Sequence, residues 1–112
     1  MPLTNWAKVP EQVDELVANL ASPAKDTVAD LAKVHASFEQ IHPFSDGNGR
    51  TGRLLMLAQA LRAQLMPPIV ENERRYAYYK YLELAQTKDA LAPLELFIAR
   101  SLDFTSRLLT DK

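Results

Sequence analysis

The sequence predicts an all-α domain of about five helices joined by short loops. Apolar residues recur at steps of three and four along most of the 112 residues, and no stretch alternates with the period of two that a half-buried strand requires. A chain of this length buries a single hydrophobic core. We therefore expect one domain over residues 1–112.

Apolar spacing and prolines delimit the helices. The first is predicted over residues 10–21, and Ser22-Pro23 supplies an N-cap and a first-turn proline for the second. The second ends at His42, because Pro43 disfavours the helical conformation there. One apolar stripe runs along this second helix and consists of Val28, Leu31, His35, Phe38 and Ile41.

Three more helices follow a glycine cluster. The third is apolar around much of its circumference, which predicts the central buried helix, and Pro67-Pro68 ends it. Its apolar residues are Leu54, Leu55, Leu57, Ala58, Leu61 and Leu65. The fourth is predicted over residues 73–86. The fifth starts near Pro93, with an inner face of Leu94, Phe97, Ile98, Leu102 and Leu108.

Composition excludes several function classes. Thirteen basic and fourteen acidic residues give a net charge of −1, so we expect neither nucleic-acid nor membrane-surface binding. There is no apolar run long enough to span a bilayer and no secretion signal at the N-terminus. With no cysteine, thiol nucleophiles and zinc–thiolate sites are excluded. A cytoplasmic protein, or one delivered into a host cell, is expected.

The segment 42–53, HPFSDGNGRTGR, contains all three glycines and one of the two histidines. It lies between the end of one helix and the start of the next, where backbone N–H groups converge at the positive end of a helix dipole. Gly47 and Gly49 allow positive φ and close approach, as an anion-binding nest requires, and Asn48 adds an amide donor. These residues predict a phosphate site.

The charged neighbours extend this prediction. Arg50 and Arg53 lie one turn apart, and two guanidinium groups beside a nest suit a polyphosphate. Cations at a helix N-terminus oppose the dipole unless an anion compensates. Asp46 offers a hard carboxylate for magnesium beside phosphate oxygens. His42 is a candidate general base, because imidazole titrates near neutral pH.

Simpler explanations exist for the individual residues. Residues 47–52 also fit G-x-G-x-x-G, but the dinucleotide fingerprint needs a preceding strand, and a helix precedes here. Taken alone, the glycines indicate a turn and the arginines a solvated helix end. His35 lies on an apolar stripe without a third nearby ligand, so a hydrogen-bonded core histidine is favoured over a metal ligand. Phe44 is expected to anchor the loop in the core.

Residues 42–53 match every specified position of H-x-F-x-[D/E]-G-N-G-R-x-x-R, which is the signature of Fic-domain proteins. By this motif the chain resembles the Fic/Doc superfamily. The flanks agree: His35-x-x-Phe38-x-x-Ile41 resembles the helix before the signature, and Arg75-x-x-Tyr78-Tyr79 the helix after it. The similarity covers about residues 10–100. It implies an all-helical fold with the active loop between the second helix and a central buried one.

The resemblance also implies Mg²⁺-dependent transfer of AMP from ATP to a Ser, Thr or Tyr hydroxyl of a target protein, with release of pyrophosphate. His42 would deprotonate the hydroxyl, and Asp46 would hold magnesium. The phosphates would be bound by Gly47, Asn48, Gly49, Arg50 and Arg53. Tyr78 is the candidate to border the nucleoside. All four tyrosines lie within residues 76–81, so at least one is expected to be exposed.

Two family features are not found in the sequence. No β-hairpin flap, which docks targets by strand addition, precedes residue 10, so we expect an N-terminally shortened domain. The inhibitory signature [S/T]-x-x-x-E-[G/N] is also lacking, so an antitoxin-type partner in trans is one expectation. Self-association through an uncovered apolar patch is another.

Three functional alternatives stay open. The first is the AMP-transferring enzyme, for which the toxin of a toxin–antitoxin pair is one biological role. The second is a catalytically weak nucleotide-binding module, because the flap is lacking. The third is an enzyme with another donor (UTP, GTP or a phosphocholine nucleotide), because the loop contacts phosphates rather than the base.

Overall fold

The regular structure is helical throughout residues 5–20, 27–66 and 68–110, the part of the chain described in the computed structural model. The helices are α1 (Val9–Leu20), α2 (Val28–Ile41), α3 (Asn48–Arg62), α4 (Arg75–Thr87) and α5 (Ala92–Thr110). Single 3-10 turns, Trp6–Lys8 and Asn72–Arg74, precede α1 and α4. The predicted all-α class is confirmed, and connections of a few residues favour neighbouring helices that pack on one another.

The central helix is α2, which packs against α1, α3, α4 and α5. It begins with a capping box, in which the Thr27 hydroxyl accepts from the Asp30 amide and the Asp30 carboxylate accepts from the Thr27 amide. It ends at Ile41, and the next residue, His42, adopts a left-handed conformation (φ 52°). The predicted end of this helix is confirmed, whereas its predicted start at Ser22-Pro23 lies outside the described residues.

The prediction that the helix after the glycine cluster is the buried centre is wrong. Leu54 and Leu61 of α3 are 60% and 54% exposed. α3 packs chiefly on α2, so only one of its faces is covered. Helical periodicity shows which residues share a face, but the neighbours decide which face is buried. The residues that α3 does bury are Asn48, Gly52, Met56, Gln59 and Ala60.

The hydrophobic core has two parts. The larger part joins α2 and α3 to α4 and α5, and its buried residues are Leu31, Ala32, Ala36, Met56, Ala60, Tyr78, Leu82, Ala85, Leu94, Phe97 and Ile98. The smaller part lies under α1 and consists of Leu16, Phe38 and Ile41. In α5 the predicted inner positions Leu94, Phe97 and Ile98 are buried, but Leu108 is 46% exposed. The end of α5 therefore extends past the core.

α2 packs directly against the backbone of α3 at Gly52. A Cβ atom at this position would overlap Glu39 Oε1 and would lie 3.0 Å from Phe38 Cδ1. The Gly52 carbonyl also accepts a hydrogen bond from His35 Nδ1 at 3.3 Å. The missing side chain therefore lets three residues of α2 pack directly on the backbone of α3.

We expect Gly52→Ala to lower the free energy of unfolding by about 1–3 kcal/mol, because overpacking outweighs the roughly 1 kcal/mol gain in helix propensity. Urea unfolding of both proteins measures the change. In an Glu39→Ala background, which removes the overlapping carboxylate, the same substitution should cost less. An equal cost in both backgrounds would contradict the close-approach explanation.

Candidate active site

A six-residue loop joins α2 to α3 and carries the predicted base. His42 is exposed, and its backbone N–H donates to the Phe38 carbonyl at 3.0 Å. Left-handed φ is uncommon outside glycine, although asparagine, aspartate and histidine adopt it more often than other residues do. Here it turns the chain out of α2, so the imidazole lies in solvent at the carboxyl end of the most buried helix.

The loop is held by the side chain of Asn48. Its Oδ1 accepts from the Phe44 amide at 2.9 Å, and its Nδ2 donates to the Phe44 carbonyl at 2.6 Å. Asn48 is 3% exposed, whereas the Phe44 ring is 52% exposed. The expectation that Phe44 anchors the loop through its side chain is wrong. The loop is instead anchored by the two hydrogen bonds between the Asn48 side-chain amide and the Phe44 backbone. Both polar atoms of that side chain are therefore bonded within the protein.

The start of α3 has no side-chain cap hydrogen bond. Gly47 has φ 78° and is the N-cap, and the first backbone bond of the helix runs from the Thr51 amide to the Gly47 carbonyl at 2.9 Å. The amides of Asn48, Gly49 and Arg50 precede that bond. The first turn contains no acidic residue, so no carboxylate on it offsets the positive end of the helix dipole.

Arg53 lies across this helix start. A Cβ atom at Gly49 would lie 3.1 Å from Arg53 Nη1, so the guanidinium group rests against the Gly49 backbone. Arg53 is half-buried, and Arg50, one turn earlier, is exposed. Both predicted arginines thus lie in the first two turns of α3, with Arg53 half-buried beside Gly49 and Arg50 exposed.

Asp46 is exposed and accepts from the Gly47 amide through Oδ1 at 2.8 Å. This bond places a carboxylate beside the nest. Across the described ranges, no group of three or more His, Cys, Asp or Glu side chains is arranged to hold a metal ion. The site therefore offers a divalent cation a single protein carboxylate.

A buried polar pair lies beneath the loop. His35 is 1% and Tyr78 is 2% exposed. Because a carbonyl only accepts, His35 Nδ1–H donates to Gly52, and Nε2 of the neutral ring accepts from the Tyr78 hydroxyl. Burial, opposed by the Gly52 bond and reinforced by the Arg53 charge, lowers the pKa of His35 to about 4. The predicted core histidine is confirmed.

Tyr78 does not present its ring to a ligand. Its hydroxyl is taken by His35, and its ring packs against Tyr79 and Phe97 at centroid distances of 5.2 and 5.8 Å. Burial raises the pKa of Tyr78, and the charge of Glu39 raises it further. The structure does not support the expected nucleoside contact of Tyr78. The spacing of the motif predicted the helix on which Tyr78 lies, but it did not predict that the side chain faces the core.

The exposed tyrosines of α4 are Tyr76 (83%) and Tyr79 (47%), which confirms that not all four are buried. Together with Lys80 and Glu83 they line an open cleft. Tyr79 also packs against Tyr78, which interacts with the Arg53 guanidinium. An accessible aromatic ring therefore adjoins the residues that contact Arg53.

Sequence patterns did not predict that Glu39 is buried next to the candidate site. It is 6% exposed, and its Oε1 is buried without a hydrogen-bond partner. Burial raises its pKa to about 7, although the nearby Arg53 charge lowers it. The folded state thus holds this proton more tightly than the unfolded state, so the contribution of Glu39 to stability falls as pH rises from 4.5 to about 7. Its position next to Phe38, a residue of the apolar stripe of α2, is the sequence feature that could have indicated this burial.

The chain belongs to the Fic/DOC family, whose sequence profile matches residues 1–60. It is 46% identical to protein adenylyltransferase Fic of Aedes aegypti over 78 residues, which are 70% of this chain and 15% of that protein. It is 45% identical to the Nematostella vectensis protein of the same name over 71 residues, 63% of this chain and 16% of that protein. With Drosophila melanogaster protein adenylyltransferase Fic it shares 46% over 68 residues (61% and 14%).

The matched region spans only about 15% of the length of these relatives. The profile match to residues 1–60 includes α2, the loop and most of α3. No helix in the described ranges is both long and apolar enough to cross a membrane.

The pKa of His35 predicts acid sensitivity. Its folded-state pKa is depressed, so its stabilising contribution is present above 6.5 and is lost as pH falls toward about 4. We expect the difference in unfolding free energy between the wild-type protein and His35→Gln to shrink by about 2–3 kcal/mol over this interval. Urea unfolding at pH 7, 5.5 and 4 measures it, and ¹⁵N NMR should show a neutral Nδ1–H ring at pH 6. A protonated ring at pH 6 would contradict the assignment.

Proposed function

We propose that this domain transfers AMP from ATP to a hydroxyl side chain of a target protein. The observation that carries the proposal is the start of α3. Gly47 is left-handed there, and the backbone amides of the next three residues precede the first hydrogen bond of the helix. The Arg53 guanidinium group lies beside them, against Gly49. Backbone donors and a guanidinium group at a helix N-terminus suit a polyphosphate. The name shared by the relatives, protein adenylyltransferase Fic, supports AMP as the transferred group.

In this proposal the α3 amides and Arg53 bind the phosphates of ATP, with Arg50 adding charge from solvent. His42, exposed on the same loop, takes the proton from the attacking hydroxyl. The hydroxyl oxygen forms a bond to the α-phosphorus, and the bond from that phosphorus to the bridging oxygen of the β-phosphate breaks. Pyrophosphate leaves with the negative charge that the arginines stabilise.

Asp46 fits a magnesium ion in this arrangement. Mg²⁺ is commonly bound by one or two carboxylates together with substrate phosphates, so a lone carboxylate beside a phosphate nest matches its needs. When bound, the ion would supply charge neutralisation at the phosphate oxygens. Asp46 would have to give up or share its bond to the Gly47 amide.

Tyr79 replaces Tyr78 as the proposed nucleoside contact. It is the exposed ring that packs against the buried tyrosine beside Arg53. Aromatic rings bind bases by stacking, which tolerates every base. The donor is therefore not restricted to ATP by these residues, and UTP, GTP and a phosphocholine nucleotide belong in the same assay.

We expect His42→Ala to lower the rate of AMP transfer by about 10²- to 10⁴-fold, the usual contribution of a general base. The assay incubates each protein with α-labelled ATP, Mg²⁺ and a cell lysate and separates the labelled proteins. Because His42 is exposed and does not line the amide nest, ATP affinity should stay the same in isothermal titration.

The outcomes discriminate between an enzyme and a binding module. ATP binding without transfer by either protein would favour a nucleotide-binding module, and equal transfer by both would remove His42 from the mechanism. Transfer from UTP or GTP alone would change the donor and keep the roles of the residues.

For the nucleoside contact, we expect Tyr79→Ala to weaken ATP binding by about 5- to 30-fold, which corresponds to roughly 1–2 kcal/mol of stacking. Binding of inorganic triphosphate, which has no base, should not change. Tyr76→Ala, which removes a more exposed ring from the same helix, is the matched control. A parallel loss of triphosphate affinity would indicate a structural effect of the substitution.

A further inference from the structure

Among the residues that the structure describes, one buried carboxylate has no part in the proposed reaction. Glu39 lies on α2 one turn before His42, and only 6% of its surface is exposed. Its Oε1 has no hydrogen-bond partner in the described structure. An unpartnered buried acceptor costs about 1–3 kcal/mol, more if it is charged. Such a group calls for an explanation in terms of the residues around it.

The Glu39 carboxylate packs directly against the backbone of α3. Gly52 has no side chain at the point where any Cβ atom would overlap Oε1. The next residue along α3 is Arg53. Glu39 therefore occupies a notch in the helix whose first turn forms the anion site, and it does so on the side facing the core.

Arg53 connects the notch to the anion site. One side of its guanidinium group rests against the Gly49 backbone, in the first turn of α3. The same group interacts with the Tyr78 hydroxyl and acts electrostatically on Glu39. The charged group that acts on Glu39 is Arg53 from α3. The Glu39 charge in turn acts on Tyr78 from α4, and His35 lies one turn earlier on the same helix as Glu39.

We propose that Glu39 is a positioning residue for Arg53 and that polyphosphate binding at the start of α3 is coupled to proton uptake by Glu39. In the free protein Arg53 is the counter-charge of the buried carboxylate. A polyphosphate draws the positive charge of Arg53 toward the nest and adds negative charge close by. Glu39 then keeps its buried position by accepting a proton from solvent and becoming neutral. This inference rests on the proposed function.

The sign of the coupling follows from these charges. Arg53 lowers the pKa of Glu39, which burial has raised to about 7. Engaging Arg53 with phosphate raises that pKa further, so the bound state holds more protons than the free state. By linkage, binding weakens as pH rises through 7. For a rise of one unit, the affinity at pH 8 is about fivefold lower than at pH 6.

The test compares the wild-type protein with Glu39→Gln, which keeps the shape and removes the charge. Isothermal titration with inorganic triphosphate at pH 6 and pH 8 gives the affinities, and buffers of different ionisation enthalpy count the protons. The ligand's own titration is common to both proteins. We expect the ratio of the dissociation constants (pH 8 over pH 6) to be about fivefold larger in the wild-type protein. Glu15→Gln, an exposed carboxylate on α1, should behave as wild type.

A second readout follows the Glu39 side-chain carboxyl carbon by ¹³C NMR and does not depend on any substitution of Glu39. Its titration midpoint should rise by a unit or more when triphosphate saturates the protein. In the free protein, Arg53→Gln should raise the midpoint as well. Midpoints unaffected by ligand and by Arg53→Gln, or equal pH ratios in the wild-type and Glu39→Gln proteins, would overturn the inference.

These results separate the inference from the proposed function. AMP transfer with no proton linkage overturns the role of Glu39 and leaves the enzyme intact. A proton-linked triphosphate site without any transfer keeps the role of Glu39 and rejects the transferase. If triphosphate does not bind at either pH, both the coupling and the proposed function are overturned.

Discussion

The site depends on one contact, the approach of α2 to the backbone of α3 at Gly52. His35 donates to the Gly52 carbonyl, Phe38 packs beside it, and Glu39 fills the space that a side chain would occupy. These three residues of α2 hold the first turns of α3 in one position relative to the end of α2. Because the loop between them has only six residues, fixing the two helices also fixes His42 relative to the amide nest.

The loop itself is stabilised by an internal device rather than by a hydrophobic anchor. The amide of Asn48 binds both backbone groups of Phe44, which satisfies them without water. Because Asn48 is also the first residue of α3, the clamp attaches the loop to the helix that it precedes. The loop then needs no buried side chain of its own, and the aromatic ring at Phe44 is left in solvent.

Two layers of polar groups meet at Arg53. On the outer side are the amides of the helix start, and on the inner side are Tyr78, His35 and Glu39, all at most 6% exposed. His35 and Tyr78 satisfy each other, so burial leaves them neutral. Glu39 has no such partner, and its charge balance rests on Arg53. The Arg53 charge acts on this buried carboxylate, and its guanidinium group also rests against the Gly49 backbone at the start of α3.

Much of the fold and the composition of the site were available from the sequence, because both are local. Period-3.6 spacing is set by the helix itself, and Pro43 acts on the residue beside it, so the helical class and the end of α2 were predicted. The segment 42–53 likewise places the glycines, the Asp46 carboxylate and the candidate base His42 within a few residues of one another, whatever the rest of the chain does. Its helix-start geometry follows from glycine at 47.

Tertiary structure alone decided which face of each helix is covered. The apolar third helix is half-exposed because α2, not α3, lies between the others. For the same reason Tyr78 faces the core and Tyr79 faces solvent, although they are neighbours in one motif. Glu39 has an ordinary sequence context, and its burial, at the point where α2 packs on Gly52, raises its pKa to about 7. Burial and charge proximity depend on distances between helices, which a pattern within one helix does not contain.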